Sequence, residues 1–153
     1  MSSVNVFADV QGFYIRGTFF PRELAIYSED YWFYATFDLP VLRFSNKEMK
    51  TINQCTSSIH GIHWRSTEND AFSFPVKMFR DILKHFCRKW SFCGSIGVRN
   101  QHLNKILVSM GFKVYNMETH DVSTTKYYNC DFHGQKTKCA MNKVINLYKS
   151  MYP

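Results

Sequence analysis

Apolar and polar positions alternate through VNVFADVQGFY, residues 4–14, in a segment rich in Val, Phe and Tyr, and a period of two with such residues predicts a β-strand. ELAIYSED (23–30) and YWFYATFDL (31–39) predict two more strands, with Glu29 and Asp30 as the turn between them. Strands joined by short connections pair antiparallel, so the three form a meander. Residues 40–74 show no clear period, and their polar stretches NKEMKTINQ and RSTENDA predict a loop with one short helix around 46–54.

After Pro75 the period lengthens. Proline suits the first turn of a helix, and Val76, Phe79, Ile82, Leu83 and Phe86 then recur at helical spacing. FCGSIGV (92–98) is short, apolar and bounded by polar residues, as a buried strand is. Leu103, Ile106, Leu107 and Met110 mark a second helix that Gly111 stops, KVYNM (113–117) returns as a strand, and a last helix covers about 138–151 with Ala140, Val144, Leu147 and Tyr148 on one side. A three-strand antiparallel meander followed by helix, strand, helix, strand, helix is the element order of the RNase H-like fold: α/β, with a five-stranded mixed sheet flanked by helices. At 153 residues, 45% of them hydrophobic, with no repeat, linker or low-complexity tract, the chain is expected to form a single domain over 1–153.

Composition narrows the setting. No apolar run approaches the roughly 18 to 20 residues of a membrane helix, and MSSVNVFADVQ has neither a basic nor an apolar leader region, so no membrane partner is expected. The five cysteines are an odd number and read as reduced thiols, some of them metal ligands, which fits a cytoplasmic or nuclear location.

The net charge of +7 is unevenly spread. Residues 1–75 hold 6 Lys and Arg against 8 Asp and Glu, net −2, whereas residues 76–153 hold 13 against 4, net +9. A basic half attracts polyanions through counterion release, nucleic acid being the commonest case and RNA or another single strand a possible partner, with Arg99, Lys84, Arg88 and Lys89 as candidate contacts. The plainer reading is that Lys77, Lys84, Arg88 and Lys89 are the solvated face of a helix.

CDFHGQKTKC carries Cys130, His133 and Cys139 in the spacing Cys-x2-His-x5-Cys. Thiolate and imidazole suit zinc, and two residues between the first pair let both side chains reach one ion from a turn. These are three of the four ligands of a closed tetrahedral site. Glu23, His120, Asp121, Cys55, Cys87, Cys93, His60 and His63 are all candidates for the fourth, and spacing does not choose among them.

The distribution of these residues resembles the MAEL domain of Maelstrom proteins, an RNase H-like domain descended from DEDDh exonucleases. That family has a Glu-Cys-His-Cys zinc site whose last three members share this spacing and run directly into a helix, and its glutamate stands in a context like Pro21-Arg22-Glu23-Leu24-Ala25. The resemblance, which also touches Ser58-Ile59-His60, implies zinc held by Glu23, Cys130, His133 and Cys139. It further implies a module that binds RNA or a protein partner, in piRNA-guided transposon silencing. This chain is shorter than a typical MAEL domain and has no HMG box in front of it.

Active DEDDh exonucleases hold two divalent ions about 3.5 to 4 Å apart with four carboxylates. Their first motif, Asp-x-Glu, is Asp9-Val10-Gln11 here, one acid kept and one neutralised. Ile59-His60-Gly61-Ile62 resembles the His-Gly-Ile of many of these enzymes. The second motif should supply an aspartate in GVRNQHLNKIL, where Asn100 and Gln101 stand instead, and Cys139 precedes Ala140 where an aspartate is expected. Hydrolysis by the ancestral two-metal route is therefore not expected, and Asp9, His60 and His63 remain only weak catalytic candidates. The alternatives are an active single-stranded RNA nuclease, using general acid and base chemistry by His60 or His63 with Arg99 on the phosphate, and a protein-interaction scaffold presenting an aromatic surface. His60 and His63 beside Trp64 could line a pocket, or Trp64 could simply plug the edge of the core. The oligomeric state is open.

Overall fold

The computed structural model describes residues 4–56, 64, 73–91, 94–118 and 140–152. Strand β1 (Val4–Ile15) and β2 (Thr18–Tyr27) form an antiparallel hairpin closed by Arg16 and Gly17, with Ile15 opposite Thr18. Both loop residues have positive φ, 53° and 73°, the twist that a two-residue hairpin loop needs, and Gly17 takes it without steric cost. The sequence predicts this second strand only from Glu23. Its first turn of pairing is hidden because Phe19, Phe20 and Pro21 do not alternate. Between Gln11 and Gly12 the register slips, and there a Cβ on Gly12 would lie 2.1 Å from the carbonyl oxygen of Phe20, so only glycine lets the strands approach.

β3 (Trp32–Asp38) pairs antiparallel with β2 after a turn at Ser28–Tyr31, as the acidic pair Glu29-Asp30 predicts. β4 (Ser73–Pro75) runs parallel to the end of β3. On the other side of β1 come β5 (Ser95–Val98) and β6 (Val114–Asn116), both parallel to it. The sheet is thus mixed, in the order β4-β3-β2-β1-β5-β6, and has six strands where the sequence predicts five. The extra strand is β4, three residues that end in the proline read as a helix start. So short an edge ladder leaves no alternation to detect.

Alternation along the central strands separates two faces. Val6, Ala8, Val10, Leu24 and Ile26 point to α2 (Phe79–Ser91) and α3 (Gln101–Ser109), whose Phe79, Leu83, Cys87, Leu103 and Leu107 complete that core. Phe7, Ala25 and Tyr34 point the other way, to Ala140, Val144 and Leu147 of α4 (Ala140–Met151). α4 is tied at its end as well: the Tyr152 hydroxyl donates to the Val4 carbonyl at 2.6 Å. α1 (Asn46–Gln54) starts in a capping box between Ser45 and Glu48, and its Ile52 packs with Phe13, Ile15 and Trp64 at the sheet edge. No helix among the described residues is long and apolar enough to cross a membrane.

Candidate functional site

The apolar face under α4 turns polar toward the end of β1 that adjoins the β1–β2 bulge. Asp9 and Gln11, two apart on β1, share that face, and Gln11 pairs across to Glu23, which pairs in turn to Thr36. All four are buried. Burying four polar side chains in one patch is costly unless they satisfy one another.

Most of them do. Gln11 Nε2 donates to Asp9 Oδ2 at 2.6 Å, and Lys143 Nζ of α4 lies 3.5 Å from Gln11 Oε1. Burial pushes the Asp9 carboxyl up to about 7, against the pull of the Lys143 charge and the Gln11 bond, with Glu23 adding to the rise. Glu23 is fully buried and accepts two bonds of 2.5 Å, at Oε2 from the Tyr34 hydroxyl and at Oε1 from the backbone N–H of Ala140. The second bond caps the first turn of α4, where the helix dipole favours a negative group. Thr36 Oγ1 has no partner among the described residues.

Of the residues predicted to hold zinc, Glu23 is thus placed beside the residue that follows Cys139. Cys130, His133 and Cys139 themselves lie outside the described residues, as do His60, His63, Cys93, His120 and Asp121. Among the described residues no group of three His, Cys, Asp or Glu gathers to hold a metal. The chemistry of Glu23 fits a ligand: a carboxylate supplies anionic oxygen to an ion, and Tyr34 and the Ala140 N–H would fix its orientation. Cys55 is half-buried and Cys87 is on the core-facing side of α2, away from α4.

Among the described residues the carboxylates that two magnesium ions need do not gather. Asn100, near where a second acid would stand, accepts from the N–H groups of His102 and Leu103 at the start of α3 and donates to the Val10 carbonyl. Its side chain is spent on holding α3 to β1. With Gln11 an amide and Lys143 a cation, Asp9 has the wrong neighbours for two hard divalent ions.

The predicted basic residues do not gather here. Lys84, Arg88 and Lys89 are exposed on α2, with Lys77 and Arg80 nearby, on the opposite side of the sheet from α4, and Arg99 is exposed just after β5. Trp64 is buried against Phe13, Phe20 and Phe44 and donates Nε1–H to the Pro40 carbonyl, a core plug. Sequence reasoning missed Tyr34, Thr36 and Lys143. The strand period does put Tyr34 and Thr36 on one face, but only the pairing register sets them against Glu23. No known protein family, no characterised protein and no solved structure matches the chain.

Proposed function

We propose that this chain is a catalytically inactive RNase H-like domain whose last helix is clamped to the sheet by a zinc ion on Glu23, Cys130, His133 and Cys139, and that it works as a module binding single-stranded RNA. The observation that carries this reading is the bond from the Ala140 N–H to Glu23, which sets one proposed ligand against the residue next to another across 117 positions of sequence. A β3-β2-β1-β5-β6 order, antiparallel and then parallel about β1, supports the fold assignment. The exposed cations of α2 support a polyanionic partner, and the Maelstrom resemblance supports a place in piRNA-guided silencing. When bound, zinc would supply folding free energy and no hydrolytic step; the residues of this chain orient and seal the clamp.

Metal content by mass spectrometry tests the clamp: stoichiometric zinc in the wild type, lost in Cys139→Ser and Glu23→Ala, is expected, and a folded wild type free of zinc refutes it. Binding to a labelled oligonucleotide tests the partner. Affinity should fall steeply with salt and drop further in an Arg88→Glu, Lys89→Glu variant, with the oligonucleotide left intact. A second reading, a protein-binding scaffold, is favoured by the consecutive residues Tyr31 and Trp32, which are 61% and 57% exposed. No binding of the oligonucleotide even at low salt would favour it.

A further inference from the structure

The environment of Asp9 carries an inference that is independent of RNA binding and of zinc. A buried carboxylate on β1 beside a second buried carboxylate, Glu23, calls for a positive charge nearby. The sequence places an amide at Gln11 and another at Asn100, so among the described residues no group of three metal-binding side chains gathers around Asp9. The positive charge comes instead from the chain: Lys143, half-buried on α4, points its ammonium at Gln11, and the Gln11 amide passes the contact on to Asp9.

The geometry points to Lys143 as a tethered cation that takes the role of a bound metal beside the middle of β1 and excludes divalent ions from Asp9. A glutamine suits this arrangement where a glutamate would not. Its oxygen faces the ammonium and its nitrogen faces the carboxylate, so one side chain satisfies two opposite charges at once. A primary ammonium on a four-carbon stem is compact enough to enter the space beneath α4, and its attachment to that helix means the charge arrives when α4 docks. Removing it should leave the site short of a cation, and adding a carboxylate in the same step should let a metal return.

The test follows Mn2+ uptake by electron paramagnetic resonance, with signal that persists in the corresponding Asp9→Asn proteins subtracted. The wild type should take up no Mn2+ at Asp9. Gln11→Glu alone, which keeps the ammonium, should also take up none, whereas Gln11→Glu combined with Lys143→Met should bind a stoichiometric Mn2+ that Asp9→Asn abolishes. Circular dichroism confirms that each variant is folded, and Lys143→Arg serves as the charge-retaining control, expected to exclude Mn2+ like the wild type. Asp9-dependent Mn2+ in the wild type, equal uptake by Gln11→Glu with and without Lys143, or a folded double variant that takes up none, each overturns the assignment. None of these outcomes depends on zinc content or on oligonucleotide affinity, so the proposal can fail while the functional reading stands, and the reverse.

Discussion

The hydroxyl of Tyr34 donates to Glu23 Oε2 at 2.5 Å, one of the bonds that hold this fully buried carboxylate. Tyr34→Phe removes the donor and keeps the ring, and it should cost about 1 to 2 kcal/mol in urea denaturation. Glu23→Ala removes the acceptor of both the Tyr34 hydroxyl and the Ala140 N–H, and the loss should rise to roughly 3 to 5 kcal/mol. Equal stabilities for Tyr34→Phe and the wild type would show that the bond contributes nothing.

Asp9 makes stability fall as pH rises. Its carboxyl titrates near 3.8 in the unfolded chain and about 7 in the fold, so between those values the folded state binds more protons than the unfolded. Burial of this group is uncostly below the lower value and costs most above the upper one. Asp9→Asn keeps an acceptor for Gln11 and removes the charge. It should therefore gain stability over the wild type progressively from about pH 4 to pH 7, as read from thermal melts across that range. A parallel pair of pH curves would contradict the assignment.

Glu48 has the opposite sign. Its bonds to the Arg16 guanidinium, 2.6 and 2.9 Å, and to the Ser45 N–H hold its carboxyl down at about 2, against an ordinary 4.5. The stabilisation is present above 4.5 and is lost as pH falls from there through about 2. Glu48→Gln should accordingly lower the melting temperature at neutral pH, with the gap to the wild type closing as the solution is acidified through that window.

Cys87 lies on the core-facing side of α2, and burial pushes its thiol up to about 12. The nucleophile is the thiolate, so iodoacetamide should spare Cys87 in the native protein and label it once urea unfolds the chain. Mass mapping of the labelled peptides reads the result, and prompt native labelling of Cys87 would place it outside the core.

The sequence shows most clearly the elements whose pattern is local. β1, β3, α2 and α3 follow their periods over enough residues to be read one at a time, and Gly111, with φ of 90°, stops α3 where predicted. The first half of β2 escapes because its hairpin loop uses Arg16, a residue that does not advertise positive φ, and because Pro21 stands inside the strand. The site divides in the same way. Asp9 and Glu23 stand out as acids within strand patterns, but the step from Lys143 to Gln11 joins residues 132 positions apart. It depends on how α4 is rotated about its own axis, which its apolar positions fix only once the sheet exists.

β1 has β2 on one side, with partners that run from Phe7 and Tyr27 down to Ile15 and Thr18 at the loop, and β5 on the other, about ninety residues later, while its second face waits for α4. On the ribosome, then, the hairpin can close early, yet Phe7, Ala25 and Tyr34 stay open to solvent until α4 has emerged. For most of its synthesis the nascent chain carries an uncovered aromatic surface with a carboxylate in it, a natural place for a chaperone to hold on.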